Sequence, residues 1–288
     1  MSASAVAAAS GTFSLGGTST VNRLGYGTMQ LTGRGVWGEP ENPEEAVRVL
    51  RTAVELGVNL IDTADSYGPV VAEPLIRRAL APYPDDLVIA TKAGLTRSGP
   101  GRWAPVGRPE YLRQQAEMSL RHLGLERIPL FQLHRIDPKV PLEDQVGLLA
   151  ELQKEGKIEH IGLSEVTVDQ LEQAQRVASI ASVQNLYNLT NRSAEDLLER
   201  CESQGIAFIP WFPLATGKLT GADGPLERIA EETGASAGQL ALAWLLARSP
   251  VMLPIPGTSS VEHVRENTAA AALRLTEAQL EAIGDAAA

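Results

Sequence analysis

The sequence is poor in cysteine, in basic residues and in long apolar runs, and each shortage excludes a class of protein. Its 288 residues include one cysteine, Cys201, so neither a disulfide framework nor a cysteine-rich metal site is possible, which fits a reducing compartment. Its 35 acidic residues outnumber its 25 basic ones, and the net charge of −10 disfavours nucleic acid or an anionic membrane as a partner. An uninterrupted apolar run of about 18 residues is missing, so we predict no membrane span.

Three short motifs are missing as well. The first strand-like segment, residues 24–29, breaks the G-x-G-x-x-G pattern, which argues against a doubly wound dinucleotide-binding sheet. The stretch TGKL at 216–219 lacks the rest of a phosphate-binding loop, which excludes a nucleoside triphosphatase. His122, His160 and His263 lack the spacing of metal ligands, so we predict no metal site.

The N-terminal segment has neither the basic region nor the strongly apolar region of a secretory signal. We therefore predict a disordered tail over residues 1–11, a single domain over residues 12–288 and a cytoplasmic location. This length fits one α/β barrel, since such barrels commonly occupy about 200–250 residues.

The chain does contain eight short runs rich in Val, Ile, Leu and Phe, separated by amphipathic helical segments. The runs lack strict polar alternation, as expected of strands buried on both faces of a parallel sheet. They occupy residues 24–29, 58–62, 87–92, 128–134, 158–164, 182–186, 206–211 and 251–257. This alternation predicts an α/β fold, a (β/α)8 TIM barrel. Residues 12–22, with a two-residue turn at Gly16-Gly17, predict an N-terminal β-hairpin that plugs the barrel floor.

Four polar residues lie at or just beyond the ends of these runs: Asp62, Tyr67, Lys92 and His134. At the carboxyl ends of barrel strands they would converge on one mouth. A lysine beside a phenol lowers the phenol's pKa and eases proton donation, and Asp62 would hold Lys92 in place. Taken singly, each residue also has a structural explanation: an ion pair, a capping aromatic or a core histidine.

The stretches GYGTMQ, IDTADSYG, ATKAG, LFQLHR, HIGLSEV, VQNLYN, WFPLATGKL and PIPGTSSVEHVREN resemble the aldo-keto reductases. LGYGTMQLTGRGVWGEP and PGTSSVEHVREN are similar to the bacterial pyridoxal reductase (pyridoxine 4-dehydrogenase) branch. The resemblance implies a catalytic tetrad of Tyr67, Asp62, Lys92 and His134, and NADPH as the cofactor across the barrel mouth. It implies reduction of a small-molecule aldehyde or ketone to an alcohol, with pyridoxal or a related small aromatic aldehyde as the candidate substrate.

The resemblance also implies the cofactor contacts. Ser164 and Gln184 would hydrogen-bond the nicotinamide carboxamide, and Trp211 would stack on the ring. The pyrophosphate would be followed by Pro213, Leu214, Gly217 and Leu219. The full implied set is Gly27, Thr28, Met29, Asp62, Ser164, Gln184, Trp211, Phe212, Pro213, Leu214, Gly217, Leu219, Gly257, Thr258, Ser259, His263, Arg265, Glu266 and Asn267.

The sequence departs from the family pattern at Glu165, where the family usually has Asn, at Gly257, where it has Lys, and at His263, where it often has Arg. The 2′-phosphate would then rest on Thr258, Ser259, Arg265 and the helix N-terminus after Ser259, where free N–H groups favour an anion. Met29, Trp37 and Trp103 are the predicted substrate-pocket residues, on or beside the loops 30–40 and 93–109.

Two alternatives keep the barrel and change its role. Lys92 could be the nucleophile of a Schiff-base aldolase, since lysines at barrel strand ends do this chemistry. The chain could instead be a non-catalytic, nicotinamide-sensing regulatory subunit, because fold alone does not decide function. The sequence leaves the oligomeric state open.

Overall fold

An antiparallel hairpin precedes the main sheet in this computed structural model, which describes residues 6–214 and 225–286. Its strands are β1 (Thr12–Leu15) and β2 (Ser19–Asn22). Leu15 pairs with Ser19, so the loop spans residues 16–18 and has three residues, not the predicted two. The Thr18 N–H closes this loop by donating to the Leu15 carbonyl at 3.2 Å.

The segment before the hairpin is ordered from residue 6 onward. Residues Ala7–Ser10 form a 3-10 helix, in which Ala7 and Ser10 are buried. The Ala7 N–H donates to the Leu56 carbonyl at 2.9 Å, and Ser10 Oγ accepts from the Leu24 N–H at 3.1 Å. The prediction of a disordered tail over 1–11 is therefore wrong for residues 6–11, because small side chains let this backbone pack closely. Residues 1–5 lie outside the described residues.

Seven parallel strands form the main sheet, in the order β11-β10-β9-β8-β5-β4-β3. Strands β6 and β7 form a separate antiparallel hairpin. The bounds are β3 Tyr26–Gly27, β4 Leu60–Asp62, β5 Val88–Ala93, β6 Leu95–Gly99, β7 Arg102–Pro105, β8 Ile128–Leu133, β9 Ile158–Ser164, β10 Ile180–Leu186 and β11 Ala207–Trp211. Neighbours along the chain are neighbours in the sheet, as in a barrel built from successive βα units.

The eighth predicted strand is present as an extended segment rather than as a regular strand. The Phe208 N–H donates to the Val251 carbonyl, and the Leu253 N–H donates to the Phe208 carbonyl, both at 2.8 Å. On the other side, the Gly25 N–H donates to the Pro254 carbonyl at 2.9 Å. Pro254 and Pro256 have no N–H to give to a ladder, which explains why regular pairing stops here. The barrel nevertheless closes through these bonds.

The hairpin closes the floor of this barrel. Leu15 and Val21 share a buried apolar cluster with side chains of the main strands, among them Leu60, Leu130 and Ile209. These strand residues face the barrel interior, which is filled with side chains as is usual for this architecture. The (β/α)8 prediction and the predicted position of the hairpin are thus confirmed.

Ten helices are described, and several begin at a residue whose side chain caps the helix N-terminus. Asn42 accepts from the Glu45 N–H at 3.0 Å, and capping boxes begin the helices after Thr167 and Ser236. None of the helices in the described ranges is long and apolar enough to cross a membrane. The helices are α1 Pro43–Glu55, α2 Ala72–Leu80, α3 Pro109–Leu123, α4 Leu142–Lys154, α5 Val168–Gln175, α6 Glu195–Gln204, α7 Pro225–Thr233, α8 Ala237–Arg248, α9 Val261–Ala269 and α10 Glu277–Ala286.

Arg23 ties the irregular closing segment to the barrel. Its guanidinium donates to the Leu246 carbonyl at 2.6 Å, to that of Met252 at 3.3 Å, and to that of Ser249. We expect Arg23→Met to lower the free energy of unfolding by about 2–3 kcal/mol, because hydrogen bonds from a charged donor are lost and buried carbonyls are left unpaired. Urea denaturation measures this change.

Arg48→Met is the matched control for Arg23→Met. The Arg48 side chain is 64% exposed and pairs with Glu45 on the surface of α1. We expect its loss to cost less than about 1 kcal/mol, the usual range for an exposed ion pair. Equal losses in the two variants would show that Arg23 does not stabilise the closure.

Candidate active site

A cavity of about 600 Å³ opens at the carboxyl ends of the parallel strands. Asp62, Ser164 and Trp211 line it and end β4, β9 and β11, respectively. Much of the remaining wall is apolar or aromatic, as in other small-molecule sites. The predicted convergence of strand-end residues on one mouth is therefore present in the structure.

Lys92 lies at the centre of the polar group beneath this cavity. Its ammonium donates to Asp62 Oδ1 at 2.6 Å, to the Thr63 carbonyl at 2.8 Å and to Tyr67 Oη at 3.4 Å. Lys92 is fully buried, and Asp62 is 2% exposed. Strands β4 and β5 are neighbours, so their inward side chains bring the acid and the ammonium together.

Burial decides the net direction of the Tyr67 pKa. Desolvation raises the pKa of the phenol, and the adjacent Lys92 charge opposes this effect without cancelling it. The expected fall in the Tyr67 pKa is therefore wrong as a net direction, because the sequence showed the lysine but not the burial. At neutral pH the phenol keeps its proton and remains a donor.

Lys92 keeps its charge despite its burial. Desolvation by itself would lower the pKa of the ammonium, but Asp62 and Tyr67 raise it, and the net direction is upward. A buried charge is tolerated only when it is paired and hydrogen-bonded, and here three oxygens surround it. The site thus holds a permanent positive charge next to the phenol oxygen.

Two glutamines complete the surroundings of Asp62. Its Oδ2 accepts from Gln184 Nε2 at 2.9 Å and from Gln132 Nε2 at 3.2 Å. Gln184, which the family resemblance assigned to the carboxamide, thus also orients the carboxylate. Gln132 is not among the predicted site residues, although it is a polar residue inside the apolar run 128–134.

His134 is a buried, neutral imidazole. Its Nδ1 lies 3.3 Å from Ser66 Oγ, and its ring stands edge-on to Tyr67 with centroids 6.0 Å apart. Burial, followed by the charges of Lys92, Arg135 and Arg97, holds the pKa of His134 well below its usual range. The described residues contain no group of three His, Cys, Asp or Glu that could hold a metal ion.

Glu165, the first departure from the family pattern, fixes the indole of Trp211. Its carboxylate accepts from Trp211 Nε1 at 2.5 Å and from the Leu186 N–H at 2.7 Å. Glu165 has φ +55°, a left-handed conformation that costs a non-glycine residue about 1–3 kcal/mol. A shorter side chain such as Asn would not span the same distance from this backbone position.

The second departure, Gly257, has a steric reason. A Cβ at Gly257 would lie 2.8 Å from the Gly27 carbonyl oxygen, and a Cβ at Gly27 would lie 2.8 Å from the Ile255 carbonyl oxygen. The two backbones approach too closely for any side chain, so a lysine at Gly257 would not fit. The result is a bare strip of backbone along one wall of the cavity.

The rest of the predicted phosphate segment follows this strip. The N-cap of α9 is Ser260, whose Oγ accepts from the His263 N–H at 3.4 Å, so the predicted cap at Ser259 is wrong by one residue. Thr258 Oγ1 lies 3.4 Å from His263 Nδ1. Arg265 lines a separate groove against α1.

The predicted cofactor-binding residues not yet placed, together with those already described, include three groups: two on α9, two outside the described residues, and those that line the cavity. Glu266 is hydrogen-bonded to the cap of α8, and Asn267 is buried within α9. Gly217 and Leu219 lie outside the described residues. Those that line the cavity are Gly27, Thr28, Met29, Asp62, Ser164, Gln184, Trp211, Phe212, Pro213, Leu214 and Gly257.

Trp103, one of the predicted substrate residues, lies beside Tyr67 and His134. Its ring centroid is 6.4 Å from both Tyr67 and His134, in edge-on arrangements. Met29 also lines the cavity, whereas the predicted Trp37 is not among its lining residues and is 37% exposed. The apolar wall is therefore built by aromatic and aliphatic side chains from several loops.

Comparison with known proteins agrees with this geometry. The model of the aldo/keto reductase family matches residues 23–288. The chain is 52% identical over 260 residues to an uncharacterised oxidoreductase of Schizosaccharomyces pombe, covering 90% of this chain and 85% of that protein. It is 45% identical over 280 residues to pyridoxine 4-dehydrogenase of Escherichia coli, covering 95% of this chain and 97% of that protein.

A solved structure supports the same assignment. The fold matches the crystal structure of an aldo-keto reductase from Klebsiella pneumoniae in complex with NADPH with a TM-score of 0.80 and 28% identity, covering 94% of this chain and 93% of that one. The family match, the close relatives and the strand-end constellation agree, and the chain belongs to the aldo/keto reductase family.

Proposed function

We propose that the chain is an NADPH-dependent reductase that converts an aldehyde or ketone to an alcohol. The observation that carries the proposal is a protonated, buried phenol, Tyr67, held 3.4 Å from a buried ammonium at a cavity formed at the strand ends. A phenol in that position can give its proton to a carbonyl oxygen, and general-acid help of this kind is worth about 10²–10⁴-fold in rate.

The cavity has features that suit a nicotinamide cofactor. Glu165 fixes Trp211 so that its face can stack on a planar ring, and the bare strip at Gly27 and Gly257 admits a ligand against the backbone. The Klebsiella pneumoniae relative was solved in complex with NADPH. When bound, NADPH supplies the hydride, and the residues of the chain bind the carbonyl and move the proton.

The proton comes from Tyr67 and is stabilised by its neighbours. As the carbonyl oxygen gains negative charge, the phenol O–H donates its proton, and the ammonium of Lys92 stabilises the phenolate that remains. Asp62 keeps Lys92 in place through the 2.6 Å contact. If His134 Nδ1 accepts from Ser66 Oγ, its Nε2 carries the proton and faces the cavity as a second donor to the oxygen.

The side chains that line the cavity and the relatives of the chain both support one substrate class. Pyridoxine 4-dehydrogenase of Escherichia coli is 45% identical to the chain, and the cavity is lined by Met29, Val36 and Trp103. Aromatic and aliphatic walls favour a flat ring. We therefore propose pyridoxal, or a related small aromatic aldehyde, as the substrate.

The two alternatives fit the site less well. A Schiff-base nucleophile needs a neutral, accessible amine, whereas Lys92 is fully buried and the direction of its pKa shift is upward. A regulatory subunit has no need of an acid, and here the acid, its ammonium partner and a donor imidazole are all in place. Both observations favour catalysis.

The first test removes the proton of the acid. We expect Tyr67→Phe to lower kcat for pyridoxal by about 10²–10⁴-fold, the usual worth of a general acid. NADPH binding, measured by fluorescence titration, should stay within about threefold of wild type, because binding does not use the phenol proton.

Tyr83→Phe is the matched control for the acid test. Its hydroxyl donates to the Leu123 carbonyl at 2.6 Å, away from the cavity, so turnover should be unchanged. Turnover near the wild-type value in Tyr67→Phe would show that Tyr67 is not the acid.

The neutral state of His134 has a consequence for stability. The pKa of His134 is lower in the folded protein than in the unfolded chain, where it is about 6.5. The contribution of the neutral imidazole to the free energy of unfolding is therefore fully present above about pH 6.5 and is lost as the pH falls. We expect the difference in unfolding free energy between wild type and His134→Gln to shift against wild type by about 1 kcal/mol between pH 6.5 and 5.5. Urea denaturation at several pH values measures it, and a difference independent of pH would contradict a buried neutral imidazole.

The site of the 2′-phosphate is tested by adding a negative charge. Ser259 is exposed and lies just before the N-cap of α9. We expect Ser259→Asp to raise the Kd for NADPH by about tenfold or more, because like charges repel, and to leave the Kd for NADH within about threefold. Ser203→Asp, at an exposed serine on α6, should change neither value. An equal loss for both cofactors would place the phosphate elsewhere.

A further inference from the structure

Arg97, on β6, connects the hairpin β6–β7 to two other loops at the cavity mouth. Its Nη1 donates to the Val36 carbonyl at 2.6 Å and to the Ser66 carbonyl at 2.7 Å, and its Nη2 donates to the Gly35 carbonyl at 2.9 Å. Its Nε donates within the hairpin, to the Arg102 carbonyl at 3.1 Å. The planar guanidinium thus donates to backbone carbonyls of three loops at once. A lysine ammonium lacks this fixed arrangement of donors and could not make the same set of bonds.

The same guanidinium packs against Trp103, an aromatic residue in the wall of the cavity. Arg97 Cζ lies 3.5 Å from the centroid of the Trp103 ring, a close cation–π contact. Trp103 in turn stands edge-on to both Tyr67 and His134, at 6.4 Å. Trp103 is 36% exposed, so its indole has few neighbours to hold it in place. The guanidinium of Arg97 covers one face of the ring and restricts its movement.

Arg97 also holds a strained residue that lines the cavity, Val36. Val36 has φ +55°, a conformation that a β-branched residue rarely adopts, and its side chain packs with Met29 against Tyr67. The Val36 carbonyl accepts from the Gly68 N–H at 3.3 Å as well as from Arg97. Without the guanidinium, the loop at 33–38 would keep its backbone hydrogen bonds to Gly68 and Gly101 but would lose the two bonds to Arg97 that hold the strained backbone at Gly35 and Val36.

We propose that Arg97 is a positioning residue that sets substrate specificity, by holding Val36 and Trp103 as two walls that accept flat aromatic carbonyl compounds. This inference rests on the proposed reductase function and deepens it. The inner contacts of Tyr67, Lys92 and Asp62 do not involve Arg97. Its loss should therefore weaken binding of aromatic substrates and leave proton donation by Tyr67 intact.

The test compares two aldehydes in wild type and Arg97→Met. Pyridine-4-carboxaldehyde is the flat aromatic probe and propanal is the small aliphatic probe. We expect the KM for the aromatic probe to rise by about tenfold or more, since ring contacts are lost, while the KM for propanal and both kcat values stay within about threefold. The Kd for NADPH should stay within about twofold, since Arg97 contacts the loops on the substrate side.

Arg102→Met is the matched control, because Arg102 is an exposed arginine in the same hairpin and its substitution removes the same charge. It should leave all these constants at their wild-type values. An aromatic KM unchanged in Arg97→Met, or an equal loss of kcat/KM with both aldehydes, would overturn the inference and leave the reductase function standing. Failure of wild type to oxidise NADPH with either aldehyde would overturn the proposed function itself.

Two further variants separate positioning from general destabilisation. Arg97→Lys keeps the charge and removes the fork, and we expect it to raise the aromatic KM even where Arg97→Met folds poorly. In the double variant Arg97→Met with Trp103→Ala, the rise in the aromatic KM should be smaller than the product of the two single effects, because part of the effect of Arg97 passes through Trp103. Full additivity would show that Arg97 does not act through Trp103.

Discussion

The buried ion pair between Lys92 and Asp62 is the interaction on which the rest of the site depends. Taking both charges out of water is costly, and the cost is offset only if every remaining donor and acceptor is satisfied. The Thr63 carbonyl, Gln132 and Gln184 meet that requirement. The pair is therefore satisfied by groups on β8, on β10 and in the segment after β4, and the ammonium of Lys92 lies beside the Tyr67 phenol.

Close backbone approach is the second constraint, and it acts on the opposite wall. Gly27 and Gly257 meet where neither can carry a Cβ, and Pro254 and Pro256 prevent a regular eighth strand just before them. The barrel closes through a few backbone hydrogen bonds and through Arg23 instead of a full ladder. This looser closure leaves a backbone surface at the cavity where a regular strand would have presented side chains.

The proposed proton donor and the proposed determinants of substrate specificity lie at different depths of the same cavity. The charges of Lys92 and Asp62 are buried and held by inner strand residues, whereas the outer walls come from loops that contact one another through Arg97. Glu165 makes a similar link on the cofactor side by holding Trp211. In both cases a charged side chain orients a tryptophan, so the aromatic surfaces are preorganised without being fully buried.

The sequence by itself determined the barrel and the four strand-end residues, because apolar periodicity is local and the strand ends of a barrel converge by geometry. It did not determine that burial raises the pKa of Tyr67, that residues 6–11 are ordered, or that Gln132 supports Asp62. Nor did it assign roles to Glu165 and Arg97. Tertiary structure decided these points, because desolvation, backbone approach and contacts between distant loops depend on which surfaces face each other after folding.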